Sequence, residues 1–169
     1  MGNAVTCFTG HRPDKLGGYE PSKNSKLLWE LQRVILDHIE NKAVETFING
    51  CALGIDLWAA RIVIKLKEKY PNIKLISALP CRNHPNRWPQ SSKNEWQYVV
   101  DNSDEVVLVT DEEYKPYMMQ VRNIWMVDKS DFVIGVYDGT SGGTKNCLDY
   151  ARKRIKEENI TVINPNNFR

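Results

Sequence analysis

Residues 133–154 read VIGVYDGTSGGTKNCLDYARKR. The stretch opens with the β-branched apolar residues Val133, Ile134 and Val136, the content of a buried strand. It closes with Cys147, Leu148 and Ala151, followed by Ile155, at the spacing of one helix face. Between the two patterns Gly139, Gly142 and Gly143 stand among Thr140, Ser141 and Thr144, so a strand passes into a helix through a glycine bend. A bend of this kind leaves bare amides and hydroxyls at the positive end of a helix dipole, where an anion is stabilised. Glycines also serve simply to turn a chain and cap a helix, and the bend alone leaves both readings open.

The alternation continues outward along the whole chain. Strand-like runs fall near 3–9, 45–49, 73–79, 104–109, 131–137 and 160–163. Between them Leu27, Leu28, Leu31, Val34, Ile35 and Ile39 make one helical stripe. Ile55, Trp58, Ala59, Ile62, Val63 and Leu66 make a second, and helices also fit 91–101, 116–128 and 143–157. Strands alternating with helices predict an α/β fold: a single Rossmann-like three-layer domain over residues 1–169, with a mainly parallel sheet of about six strands. No repeat or linker divides the chain. The least regular part is PCRNHPNRWPQ, residues 80–90, where three prolines argue for an excursion after the third strand.

Composition narrows the function classes. The 169 residues are 41% hydrophobic and 26% charged, ordinary for a globular domain. The formal charge of +2 is too small to imply nucleic acid by field strength, so nucleic acid is not an expected partner. Cys7, Cys51, Cys81 and Cys147 form no CxxC pair, and four cysteines with three histidines show no ligand spacing. Reduced thiols in a cytoplasmic protein are expected, with no metal and no cofactor. The start MGNAVTCFTG carries no signal-peptide pattern and no credible lipidation signal at Gly2, and no apolar window is long enough to cross a membrane.

In a parallel sheet, ligands bind at the carboxyl ends of the strands. Three loops expected on that edge have unusual content. In FTGHRP, Thr9 and Gly10 end the first strand, and His11 and Arg12 follow; Arg12 offers a planar fork of donors suited to phosphate. In NGCALGIDLWAA, Asn49 and Gly50 close a strand, Gly54 opens a helix, and Asp56 lies in its first turn, where it either complements the dipole or accepts bonds from a ribose. Trp58 falls on the apolar stripe and reads as core. The third loop is the glycine bend, with Asp138, Gly139, Thr140, Ser141, Gly142, Gly143 and Thr144. It is neither a GxxxxGK[ST] loop nor a GxGxxG fingerprint. Trp88, Trp96, Tyr98, Tyr114 and Tyr117 either wall a base pocket or pack helices, Arg122 and Asn123 face either the ligand edge or solvent, and His38 reads as a surface or capping residue.

The three segments FTGHRP, NGCALGIDLWAA and YDGTSGGTKNCLDYA together resemble the SLOG superfamily of Smf/DprA and LOG-like Rossmannoid domains, within it the small stand-alone YoqJ/YpsA-like group. The resemblance implies a nucleotide-derived ligand at the carboxyl edge of the sheet and a homo-oligomer. Members diverge: LOG enzymes hydrolyse the N-glycosidic bond of nucleotide 5′-monophosphates, DprA binds single-stranded DNA, and SLOG domains of antiviral effectors recognise ADP-ribose or cyclic relatives. The LOG pattern PGGxGTxxE requires an acid where this chain has Cys147, and its Pro is missing; Asp149 lies about 200° around the helix and does not replace it. The resulting expectation is a binding protein for a nucleotide-derived signal such as ADP-ribose or a cyclic nucleotide, acting as sensor or sequestering sponge, of the kind a phage carries against host defence. The alternatives are a LOG-like hydrolase, using Asp56 or a carboxylate of the 111–113 cluster, and a DprA-like single-stranded nucleic-acid binder.

Overall fold

Adjacent residues on each strand point to opposite faces of a sheet, and here both faces are apolar, so both must be covered. A computed structural model of the chain, which describes residues 3–169, shows how. Met1 and Gly2, and with them the lipidation question, lie outside the described residues. Six strands, β1 (Ala4–Gly10), β2 (Val44–Asn49), β3 (Lys74–Leu79), β4 (Glu105–Leu108), β5 (Phe132–Val136) and β6 (Ile160–Ile163), form one sheet in the order β4-β3-β2-β1-β5-β6. Every neighbouring pair is parallel.

Helices α1 (Ser25–Asn41), α2 (Ile55–Leu66) and α3 (Gln90–Asp101) cover one face, where Phe8, Phe47, Leu75 and Ile134 pack against Leu31, Ile35, Leu57 and Val63. The rings of Phe8 and Phe47 stack with centroids 5.8 Å apart. Helices α4 (Met118–Asp128) and α5 (Gly143–Arg154) cover the other, where Cys7, Ile48 and Val133, the sequence neighbours of those strand residues, meet Met126, Cys147 and Leu148. The sequence order of the chain through this sheet sets the site. From β1 the chain winds outward through β2, β3 and β4; it then returns by α4 to β5 on the other side of β1. The connections leaving β1 and β5 therefore part company, and a crevice opens between them at the carboxyl edge.

Three local expectations are corrected. Helix α5 ends at Arg154, not 157: Ile155 is extended (φ −126°, ψ 140°), because the short link to β6 needs an extended chain there. Strand β4 covers Glu105–Leu108 rather than 104–109, and as an edge strand with one neighbour it leaves Val106 and Leu108 partly exposed. His38, read as a surface residue, is buried: its Nδ1 pairs with the Thr6 hydroxyl at 2.8 Å and its ring meets Phe132 edge-on at 5.3 Å. The turn of α1 that carries His38 lies against β1 and β5, so a polar residue on the inner stripe found a polar partner on the sheet. Among the described residues no helix is long and apolar enough to cross a membrane.

Candidate functional site

The three loops singled out by sequence follow β1, β2 and β5, which are side by side in the sheet, so their carboxyl ends meet. A cleft of about 340 Å³ lies among them. Eight of the predicted residues line it: Thr9, Gly10, His11, Arg12, Asp56, Gly142, Gly143 and Thr144.

The other candidates build its frame. Asn49 is buried and spent: its amide nitrogen donates to the Ser77 hydroxyl at 3.0 Å and its oxygen accepts from the Cys51 amide at 2.8 Å. It forms the hinge between β2 and its loop and does not line the cleft. Gly54, at φ +88°, begins α2 with its Cα so close to the first loop that an added Cβ would stand 2.7 Å from the His11 carbonyl oxygen. The Ile55 amide donates to that same oxygen at 3.4 Å, fastening α2 to the β1 loop. Gly50 lies under Arg122, whose guanidinium donates to the Gly50 carbonyl.

Asp138 belongs to the frame as well. Its Oδ1 accepts from the Thr140 hydroxyl at 2.6 Å and the Thr140 amide at 3.0 Å, and lies 2.8 Å from His11 Nε2. These bonds stabilise the carboxylate and pull its pKa down to about 2, the Thr140 hydroxyl contributing most. Burial in turn lowers the pKa of His11, so the ring is neutral at neutral pH. His11 Nε2 is held from two sides of Asp138: the carboxylate lies within hydrogen-bond reach of it, and the Asp138 backbone amide donates to it at 3.0 Å. Lys15 Nζ ties the same two loops by donating to Thr140 Oγ1 at 2.8 Å and to the Ser141 carbonyl at 3.0 Å. Gly139 has open space around it and touches nothing in the cleft.

Lys15, Asp14, Ala52, Met119, Arg122 and Asn123 complete the lining. Of these, sequence raised only Arg122 and Asn123 and left their side open; both prove buried on the cleft side of α4. Arg122 is 4% exposed. Its Nε donates to Asn123 Oδ1 at 2.9 Å, while Nη2 has only a 3.8 Å contact with the Met119 sulfur and keeps donor capacity for a guest. The available signal was an arginine between Met118 and Met126 on an otherwise apolar helix side, a charge that a folded chain retains only when something pairs with it.

Asp56 is fully buried, and burial raises its pKa, with the Arg122 charge opposing the rise. Its Oδ2 accepts from the Ala52 amide at 3.3 Å, so it holds the β2 loop as well as facing the cleft. Cys147, by contrast, is in the core with its thiol pushed up to about 11 by burial, and Asp149 is half-exposed and paired with Lys145 at 2.6 Å. Neither brings a carboxylate to the cleft; Asp14 and Asp56 are the acids that line it. No side chain caps the start of α5, so the amides of Gly143 and Thr144 face a cleft whose cations are Arg12, Lys15 and Arg122. That is a site for an anion with polar appendages.

The chain is similar to known proteins. SPbeta prophage-derived protein YoqJ of Bacillus subtilis is 34% identical over 151 residues, spanning 83% of this chain and 88% of the relative. A UPF0398 protein of Halalkalibacterium halodurans is 31% identical over 172 residues, spanning 97% and 89%. Among solved structures, DNA processing protein A of Helicobacter pylori, described for its single-stranded DNA binding mode, superposes with a TM-score of 0.61 at 15% identity. The match covers 97% of this chain and 70% of that one. This neighbour overturns the expectation that nucleic acid is not a partner. The physical reason is that a net charge of +2 averages over the whole surface and says nothing of three cations gathered in one cleft. A model of the YspA SLOG family (YpsA) matches residues 6–167. With nearly the whole chain matched by that model and its glycine loops meeting at one sheet edge, the chain belongs to the YpsA family of SLOG domains.

Proposed function

We propose that the chain binds a nucleotide-derived ligand by its phosphate in the cleft between β1 and β5, and acts as a sensor or sequestering protein for it. One observation carries the reading. Arg12, Lys15 and Arg122 converge with the uncapped start of α5 on a single hollow, and among the described residues the Arg12 side chain makes no ion pair or hydrogen bond, the residue's only bond being the one its carbonyl accepts from the Lys15 amide. An unpaired guanidinium beside free helix amides is an arrangement that phosphate completes. Asp56 and Asn123 beside it supply an acceptor and a donor for sugar hydroxyls.

The test is mass spectrometry of the small molecules released when the purified protein is denatured, with binding of ADP-ribose and nucleoside monophosphates followed by calorimetry. A phosphate-bearing species, bound at least tenfold more weakly by Arg12→Ala, is the expected result; hydrogen bonds to charged groups are worth about 1.5–3 kcal/mol. Binding unaffected by Arg12→Ala would contradict it. Free base accumulating from nucleoside monophosphates, and stopping with Asp56→Asn, would turn the reading to hydrolysis.

A second reading has one observation in its favour: the fold is that of a single-stranded DNA-binding neighbour, and the cleft is open to solvent. A phosphodiester would then occupy the same cradle. Fluorescence anisotropy of a labelled oligothymidylate, with an affinity that falls steeply as salt rises, supports it, and no binding at low salt removes it.

A further inference from the structure

The loops after β3 and β4 enclose a second hollow of about 350 Å³, walled by Asn83, His84, Arg87, Trp88, Glu113 and Tyr114. Arg12 and Met119 line both this hollow and the phosphate cleft, so the two adjoin. Its walls are fixed in place. The Arg82 amide donates to the Glu112 carbonyl at 3.0 Å, and the Tyr114 amide donates to Asn83 Oδ1 at 2.7 Å, joining the two loops that face each other.

Elsewhere among the described residues His38 Nε2, Glu95 Oε1 and Trp96 Nε1 are buried without a partner, but His84 is the residue with two such atoms, and it lines this hollow. It is 8% exposed, and both ring nitrogens are shut off from water with no hydrogen-bond partner among the described residues. A buried polar group without a partner is rare in folded proteins and asks for an explanation. The ring has one donor and one acceptor, because burial, reinforced by Arg122 and Arg12, pushes its pKa down to about 3 and keeps it neutral. Trp88 meets it edge-on with centroids 4.9 Å apart, and Tyr114 is half-exposed across the hollow.

We propose that this second hollow is a nucleobase subsite, in which a base stacks against Trp88 and Tyr114 and a turn of the His84 ring toward the hollow gives it the hydrogen-bond partner it lacks. The inference rests on the phosphate reading of the first cleft for the other half of the ligand. Arg12 and Arg87 on the walls could pair with a second phosphate, but it would leave the neutral imidazole without the donor and acceptor it needs and the aromatic walls without a flat partner, and the Glu113 carboxylate repels it. A base suits imidazole and carboxylate alike: its edge presents donors and acceptors side by side, and a carboxylate accepts from an exocyclic amine. Aromatic walls supply the stacking.

The experiment compares wild type with His84→Ala, Trp88→Ala, Tyr114→Ala and Arg12→Ala. The probes are the ribonucleoside 5′-monophosphates, the matching nucleosides and ribose 5-phosphate, titrated by calorimetry, with thermal denaturation to establish that each variant is folded. At least one monophosphate should bind wild type about tenfold or more tighter than ribose 5-phosphate. Trp88→Ala and Tyr114→Ala should remove that advantage while leaving ribose 5-phosphate unchanged, as should His84→Ala if it folds. If Arg12→Ala weakens every phosphorylated probe but the aromatic variants change nothing, the base subsite is wrong and the phosphate cleft stands. If nucleosides bind, depend on Trp88, and ignore Arg12, the phosphate cleft is wrong and the base subsite stands. If no probe binds wild type, both fall.

Discussion

At the residue scale, the ionisable groups that burial has silenced make the clearest prediction. The pKa values of His84, about 3, and His38, about 4, lie well below the ordinary 6.5. Below pH 6.5 the unfolded chain therefore binds protons that the folded chain refuses. Stability is fully present above that pH and falls as the pH drops toward 4, by about 1.4 kcal/mol per pH unit for each such histidine. His11, also lowered, adds in the same direction, Asp56 and Glu95, raised by burial, work against it, and Asp138 acts only below its ordinary 3.8. Urea unfolding at pH 7 and pH 5 checks this: the midpoint should fall at pH 5, and His84→Gln should reduce the difference, whereas equal midpoints would contradict the burial of both rings. Individual residues were also where the sequence was least legible. Arg12 and Asp56 could be read from loop position, but the only sequence signal for the side of Arg122 is its place between Met118 and Met126 on α4. Asn49 looked like a ligand contact because it ends a strand, yet its amide is taken up by Ser77 and Cys51.

At the element scale, two glycines separate fold from site. Gly54 begins α2 at φ +88°, against the His11 carbonyl, so Gly54→Ala is strained and crowded at once. It should cost about 2–4 kcal/mol in equilibrium unfolding and disturb the β1 loop with it. Gly50→Ala differs, because its methyl would overlap the Arg122 guanidinium, the far end of a flexible side chain. The guanidinium can shift, so this variant should lose at least as much ligand affinity as stability; an unchanged affinity would show that Arg122 does not serve the ligand. The elements themselves were largely legible: apolar period and turn residues place all six strands and five helices within a few residues. The exceptions have physical causes. Strand β4 has strand-like residues, but exposure depends on its edge position in the sheet, and the end of α5 is set by the reach to β6.

At the scale of the whole molecule, alternation of strands and helices announces a parallel sheet but does not encode the order of its strands. That order, with β1 between β2 and β5, is what turns three separated glycine loops into one cleft and puts the 80–90 excursion beside it. Because a ligand held there binds only the folded chain, saturation near a hundredfold excess over Kd should add about 2.7 kcal/mol of stability. For a chain of this length that is a rise of roughly 5–10 °C in Tm, measurable by calorimetric melting and expected to shrink to about half or less in Arg12→Ala at the same ligand concentration. The central claim is that the amides opening α5 and the cations around them hold one negatively charged guest. Nitrogen-15 amide spectra recorded while ADP-ribose or a nucleoside monophosphate is titrated into the protein test it most directly. The largest shifts should fall on Gly142, Gly143 and Thr144, together with Gly10 to Arg12. Saturable binding that leaves those amides unmoved and shifts signals elsewhere would contradict the account.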